Sequence, residues 1–406
     1  MSDTPAVSVI IPTLRADKDL TRALESLAQD KDAPSHEVLV VFNAPKPSDI
    51  DIVKHHPQAR AVQTLTNLGF AGACDLGARE AVGGTLAFLN DDMTVRPGWL
   101  KSMVSCLEDR GCAAAGGRIL SEDGKRTDFA GGSVNLIGWG FQMGHGEAVE
   151  EDGFVAHQWL PFACGGNFAI KAEAFEAAGG FDEAFFAFYE DVDLGWRLRL
   201  MGHDIAFAYD AVALHSSGST GNLMPPALKW FLQERNALMT VIKNYSPDVL
   251  DKILPIALAL VGVRAQVLSG LDIDDIANDR AWKEWIFASE QSVLQPDSAF
   301  HVKHGLLDGV KESLKSGMKS VRKGSMPQNY LPIENRGVAS LCALEWIMVN
   351  WETIFEKRAK VQSMRKRSDK EILPLFDYPV RPVLGHPREI EAMRPLEKVL
   401  ENLLQA

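Results

Sequence analysis

Five cysteines in 406 residues (Cys74, Cys106, Cys112, Cys164 and Cys342) are odd in number and scattered, and none has the spacing of a metal-binding pair. This argues against a disulfide framework and a structural zinc site, and fits reduced thiols in a cytosolic core. Positive charge is also short, with 42 Lys and Arg against 54 Asp and Glu and a net charge of -12. Nucleic-acid binders carry a basic footprint, so nucleic acid is not an expected partner. Long apolar runs are missing. The longest, Ile253 to Val263, lies between Lys252 and Arg264 and falls well below the roughly twenty residues of a membrane span. It reads as a buried or interfacial helix. The opening Met-Ser-Asp-Thr-Pro lacks a basic segment followed by an apolar one, so no signal peptide is expected. A full Gly-x-Gly-x-x-Gly dinucleotide fingerprint is absent too.

The rest is ordinary globular composition, 46% hydrophobic and 24% charged, in a chain long enough for two domains and a large core. Short β-branched or apolar runs at Val7–Ile11, Val38–Phe42, Ala61-Val62 and Thr85–Leu89 read as strands. Leu20, Leu24 and Leu27 recur at helical spacing, and residues 70–82 are small and helix-compatible. Buried strands alternating with helices predict an α/β fold with a mostly parallel sheet covered on both faces. Ligands of such sheets bind at the carboxyl ends of the strands. Pro12-Thr13, Asn43, Asn67-Leu-Gly69 and Asn90-Asp-Asp92 all stand at those ends. Residues 112–165 are Gly-rich and irregular. From Pro226 the pattern turns helical, which predicts a first domain over 1–224 and an all-helical extension over 225–406.

Three carboxylates, Glu190, Asp191 and Asp193, fall within four positions after the aromatic run Phe185-Phe-Ala-Phe-Tyr189. Acids open helices because the N-terminus is electropositive, which by itself explains them. Asp193 fits that role, paired with Arg197 one turn on. Asp191 is the candidate general base, because burial beside Glu190 and Tyr189 would raise its proton affinity. Asn90-Asp91-Asp92 reads either as a strand-ending Asx turn or as hard oxygen ligands for Mg²⁺ or Mn²⁺. His215 reads as a hydrogen-bonded histidine or as a further ligand. Asn67 to Ala73 has the small residues of a close backbone approach to a nucleotide, or of plain helix packing. The basic stretch Lys357 to Arg367 reads as a solvated helix face or as a contact with anionic membrane.

Taken in order, Val7-Ser-Val-Ile-Ile-Pro-Thr13, Asn67-Leu-Gly-Phe-Ala-Gly72, Leu89-Asn-Asp-Asp92, Gly179-Gly-Phe-Asp-Glu183, Tyr189-Glu-Asp-Val-Asp-Leu194 and His215 resemble the inverting glycosyltransferases of family 2, with the GT-A fold. The flavour is that of the rhamnosyl- and galactofuranosyltransferase-like branch of bacterial surface polysaccharide synthesis. The match covers roughly residues 6–220. Arg235-Asn236 and Arg365 to Leu373 are similar to helical extensions of some members. The resemblance implies a donor pocket lined by Pro12, Thr13, Asn43, Asn67, Gly69, Phe70, Asn90 and Asp91. It implies a Mn²⁺ or Mg²⁺ ion on Asp92 and His215, and Asp191 as base with Glu190 holding the acceptor hydroxyl. Trp159, Gly166 and Asn167 would lie near the acceptor.

Two departures stand out. Phe42 occupies a place where many members have an Asp that contacts the nucleotide base, so stacking or a different base is expected. Asn90 opens the metal motif in place of Asp, which lowers ligand charge. The resulting expectation is a cytosolic enzyme, peripheral at most to the inner membrane face. It would move sugar from a nucleoside-diphosphate sugar to a glycan or lipid-linked glycan. Its helical tail is long enough to dimerise, dock on membrane or measure polymer length. The rival readings are a sugar-nucleotide nucleotidyltransferase, which would need a Gly-rich basic loop where Pro12-Thr-Leu-Arg15 stands, and a glycan binder with a degenerate site.

Overall fold

The computed structural model describes residues 4–149, 153, 158–216, 224–270 and 336–405. Strands β1 (Val7–Thr13), β2 (His36–Phe42), β3 (Ala59–Gln63) and β4 (Thr85–Leu89) run parallel in the spatial order β3-β2-β1-β4. Side chains alternate across the pleat, so Val9 and Ile11 enter one core and Ile10 the other. On the first face lie α1 (Lys18–Gln29), capped by Asp17, and α3 (Trp99–Asp109). The second face carries α2 (Gly69–Glu80) and α4 (Ala172–Ala178). Both faces are covered, which is why the strands are apolar throughout rather than alternating.

The irregular stretch after residue 112 supplies more of the sheet than its composition shows. β6 (Ala114–Ser121) and β10 (Asn167–Lys171) extend the sheet, with β10 running antiparallel between β4 and β6. β11 (Ile205–His215) pairs parallel to β6, with a bulge between Ala208 and Val212. Short β5 (Met93–Val95) pairs antiparallel with the end of β11, and β7 (Thr127–Phe129) with β6. A separate hairpin joins β8 (Gly132–Val134) to β9 (Gly140–Gln142). Beyond the bulge β11 continues and carries His215 to the rim, opposite Met93.

Helix α5 (Glu190–Leu200) is apolar on two sides because it is sandwiched. Leu194 and Leu198 face the sheet, while Trp196 meets Tyr245 and Phe376 edge-on. Helices α6 (Pro226–Asn244), α7 (Pro247–Ser269), α8 (Arg336–Val349), α9 (Trp351–Ser363), α10 (Asp369–Ile372) and α11 (Pro387–Gln405) follow. Residues 217–223, just before the expected change to a helical pattern at Pro226, lie outside the described residues. α7 contains the run Ile253–Val263. By length and composition it could cross a membrane. It nevertheless buries Ile253, Ala257, Leu260 and Val261 against its neighbours. Its Arg264 is buried too, paired with Glu234 of α6 and Glu389 of α11. The basic stretch is largely engaged within the protein. Lys357 pairs with Asp182, and Arg358 donates to the carbonyls of Ile242 and Tyr245. Arg365 pairs with Asp369, and Arg367 with Asp204.

Candidate active site

The turns after β1, β2, β3 and β4 meet at one end of the sheet. Thr13 Oγ1 donates to Asp91 Oδ2 at 2.7 Å, which joins β1 to the turn after β4. Burial pushes the Asp91 carboxyl up to about 7 against that hydrogen bond, with the nearby Asp92 charge adding to the rise. Asn43, after β2, organises the turn after β3. Its amide donates to Asn67 Oδ1 and to the Gly69 carbonyl, both at 2.9 Å, and its Oδ1 accepts from Leu68 N at 2.8 Å. Gly69 has φ +73, and a Cβ there would lie 2.2 Å from the Phe186 carbonyl oxygen. Only glycine allows these two loops to meet. Phe70 packs edge-on against Phe181 and borders Gly165.

Across the rim, His215 Nε2 lies 3.2 Å from Asp92 Oδ2, and its Nδ1 lies 2.6 Å from Asp128 Oδ2. Burial disfavours the imidazolium, but bonds to both carboxylates override it and raise the ring to about 10. Ser216 N donates to the Asp92 carbonyl and fixes the register of the pair. One carboxylate and one imidazole suit Mn²⁺ or Mg²⁺, and a second carboxylate on the far ring nitrogen is a common way to orient such a ligand. Among the described residues, no group of three or more His, Cys, Asp or Glu could hold a metal. Asp92 and His215 therefore fit a hard cation that takes its remaining oxygens from a diphosphate or water, as Mg²⁺ sites commonly do.

The third part of the site is the approach to α5. Phe186, Phe188 and Tyr189 have φ of 64°, 68° and 65°. Each such residue costs about 1 kcal/mol, so surrounding contacts must hold the loop. Glu190 and Asp191 follow immediately. Gly165 N donates to Asp191 Oδ2 at 2.9 Å and Val192 N to Oδ1 at 2.8 Å. Burial nevertheless raises the Asp191 carboxyl above its ordinary range. Glu190 is raised further, by burial and then by the Asp191 charge, and its Oε2 is buried without a hydrogen-bond partner. Gly166 accepts from Asn90 N at 3.0 Å, and a Cβ on it would lie 2.5 Å from the Asn90 amide. A short chain of contacts thus runs from Asp191 through Gly165-Gly166 to Asn90-Asp91-Asp92. Asp193 makes the expected ion pair with Arg197, at 2.8 Å.

Several expected site residues lie elsewhere. Phe42 is fully buried in the core between sheet and α1 and cannot stack on a base, because a strand's last apolar side chain follows the pleat inward. Pro12 is likewise buried within β1. Asn167 has no exposure. Its Oδ1 accepts from Trp99 Nε1 and its amide donates to the Arg118 carbonyl, so it is a core bracket rather than an acceptor contact. Trp159 bridges to Ala206 near the start of β11, with Arg110 over its ring at 4.5 Å. Between there and His215 the paired strand runs from Ala115 to Ser121, roughly 20 Å at strand rise. Trp159 therefore lies well along the sheet from the Asp92–His215 pair. Asp128 went unread in the sequence because its partner is 87 residues away and no local pattern marks it.

Comparison with known proteins points the same way. Residues 8–179 match the model described as Glycosyl transferase family 2. The O-antigen biosynthesis protein RfbC of Myxococcus xanthus is 29% identical over 242 residues, 56% of this chain and 19% of that protein. This chain thus spans about a fifth of that relative's length. The N-acetylglucosaminyl-diphospho-decaprenol L-rhamnosyltransferase of Mycobacterium tuberculosis (strain ATCC 25618 / H37Rv) is 25% identical over 244 residues, 54% of this chain and 78% of that one. Among solved structures, GalNAc-T7 with UDP, GalNAc and Mn²⁺ aligns with a TM-score of 0.47 and 16% identity over 70% of this chain and 55% of that one. The parallel strands and the Asp91-Asp92 turn thus fall within the stretch, residues 8–179, that is similar to Glycosyl transferase family 2.

Proposed function

We propose that this chain is a metal-dependent inverting glycosyltransferase. It would move a sugar from a nucleoside-diphosphate sugar to a hydroxyl of a glycan or lipid-linked glycan. One observation supports this most directly: a half-buried carboxylate of raised proton affinity, Asp191, is joined by Gly165-Gly166 to the turn that carries Asp92 beside His215. A base and a cation-binding pair on one rim are what displacement at an anomeric carbon requires. Thr13, Asn43, Asn67, Gly69, Phe70, Asn90 and Asp91 line the donor side in this reading, and Gly166 borders the acceptor. Asp191 takes the acceptor proton as the hydroxyl oxygen bonds to the anomeric carbon. The bond to the diphosphate oxygen breaks on the opposite face, and the configuration inverts. Glu190, whose proton affinity burial and the Asp191 charge raise, would orient the acceptor hydroxyl. A divalent cation on Asp92 and His215 would neutralise the departing diphosphate.

The names of the O-antigen biosynthesis protein and the rhamnosyltransferase favour a cell-envelope polysaccharide or lipid-linked glycan as acceptor in this reading. We further assign residues 1–224 to the donor-binding and catalytic domain and 225–406 to a helical domain. Peripheral membrane contact or self-association would fall to the latter, where Lys360 and Lys366 stay exposed. The test is calorimetric binding of UDP, GDP and dTDP, each with Mn²⁺ and with EDTA, followed by turnover of the matching sugar nucleotides. One nucleotide should bind, and only with metal. Asp191→Asn should cut turnover by roughly 10²- to 10⁴-fold while leaving that binding within a few-fold. Near-normal turnover by Asp191→Asn would remove the base assignment.

A further inference from the structure

The loop before Asp191 makes few backbone hydrogen bonds within itself, yet every carbonyl from Ala184 to Tyr189 has a donor. Tyr189 O accepts from Asp193 N as α5 begins, and Phe186 O from Ala71 N of α2. The others are met from α6. Arg235 Nη2 donates to Ala184 O and Phe185 O, both at 2.8 Å. Asn236 Nδ2, with two N–H groups, lies 3.0 Å from Phe185 O, 2.9 Å from Ala187 O and 2.6 Å from Phe188 O, so one N–H is shared between two carbonyls. The two side chains brace one another, because Arg235 Nε donates to Asn236 Oδ1 at 2.9 Å. Trp346 of α8 lies 4.6 Å from the guanidinium and holds it from behind. Asn236 has no exposure, so water cannot replace its amide. Two turns on, Lys243 meets both Asp182 and Asp193, and Asn244 donates to Asp193.

A backbone with three left-handed non-glycine residues does not hold its shape alone. We propose that Asn236, braced by Arg235, is a positioning residue that fixes the Phe185–Tyr189 loop and thereby aims Asp191 and Glu190 into the rim. The helical half is on this view part of the catalytic apparatus rather than an appendage to it. The proposal rests on the reading of Asp191 as the base. Asn236 touches carbonyls and Arg235 and does no chemistry itself. Its effect is therefore on geometry, and displacement of a reacting group by about 1 Å lowers rate on the order of 100-fold.

The experiment compares full-length Asn236→Ala, Asn236→Asp and Asp191→Asn with the parent. Asn236→Asp keeps the size of the side chain and the acceptor for Arg235, but turns an oxygen toward the three carbonyls. It decides the matter if Asn236→Ala fails to fold. Three quantities are read: turnover of the sugar nucleotide whose diphosphate binds, affinity and stoichiometry for that nucleoside diphosphate with Mn²⁺, and amide exchange over residues 184–191. The expected result is a kcat lowered roughly 10- to 100-fold, with one nucleotide still bound per chain at affinity within about threefold, and faster exchange confined to 184–191. A merely structural defect would instead lower stoichiometry and speed exchange throughout. If Asp191→Asn is inactive while the Asn236 variants turn over normally or exchange as the parent does, this proposal alone is overturned. If Asp191→Asn keeps turnover, the base reading fails and the proposal falls with it.

Discussion

His215 Nδ1 sits 2.6 Å from Asp128 Oδ2, on β7. The other ring nitrogen is thereby left facing Asp92. A carboxylate behind an imidazole fixes its tautomer and ring angle, and loss of such a partner typically costs 10- to 100-fold in metal affinity. Asp128→Ala should weaken Mn²⁺ binding by about that factor, measured by titration in the presence of the nucleotide that binds. An affinity equal to the parent's would mean that β11 alone orients His215.

Gly69 is the second test of how the rim is assembled. Any side chain there meets the Phe186 carbonyl at 2.2 Å and must also adopt φ +73. The loop that leads into Asp191 would have to retreat. Gly69→Ala should therefore lose roughly 1–3 kcal/mol of stability, seen as a lower urea midpoint, and should weaken nucleotide binding and turnover together. If only stability changed, the contact between the two loops would have no part in the site.

The legible parts of this protein are those whose cause is local. Thr85–Leu89 is apolar, β-branched at its start and stopped by Asn-Asp-Asp, and the strand has those very bounds. The clustering of strand-end residues followed from one rule about parallel sheets, and Thr13, Asn43, Asn67, Gly69, Asp91 and Asp92 do gather there, whereas the rule said nothing of Asp191 and His215. What stayed hidden depends on long-range pairing. β10 enters the sheet antiparallel between β4 and β6, and nothing in Asn167-Phe-Ala-Ile-Lys171 announces its neighbours. Asn167 shows the limit most plainly: it sits in a Gly-Gly-Asn turn, as a ligand-binding residue would, yet its side chain points at Trp99. The basic stretch from Lys357 reads as a surface feature because most of its partners, Asp182, Ile242, Tyr245 and Asp204, are more than a hundred residues away, Asp369 alone being near in sequence.

Lys243 offers a test of how tightly the helical half is coupled to α5. Its ammonium is buried between Asp182 and Asp193, at 2.7 and 2.9 Å. Burial alone would raise the Asp182 carboxyl, but Lys243 and Lys357 hold it far below the ordinary range. Without Lys243, Asp182 keeps Lys357 and Asp193 keeps Arg197, so the cost of the less fully compensated charge is at most the roughly 3–5 kcal/mol of a broken buried pair. Lys243→Met should destabilise by up to that amount in urea unfolding. Adding Asp193→Asn to Lys243→Met should restore part of the loss, because Asp193, left with Arg197 as its one cationic partner, is then no longer a buried charge short of a partner. A double variant no more stable than the single one would place the cost in packing instead.

Asp75 makes stability depend on pH in an unusual direction. Its Oδ1 accepts from Phe181 N at 2.8 Å, and its carboxyl is pressed against Gly180. Burial pushes its pKa up to about 7, against about 3.9 in an unfolded chain. Between those values the native state holds the extra proton. The contribution of the neutral carboxyl is thus complete below about pH 4 and is lost as pH rises through 7. Asp75→Asn keeps an acceptor for Phe181 and has no proton to lose. Relative to the parent, the variant should gain stability from pH 5 to pH 8, by on the order of 1–3 kcal/mol. Urea unfolding of both proteins at the two pH values isolates this group from all others that titrate. A difference that is the same at both would show that Asp75 is ionised throughout, with Phe181 N and water meeting the cost of its burial.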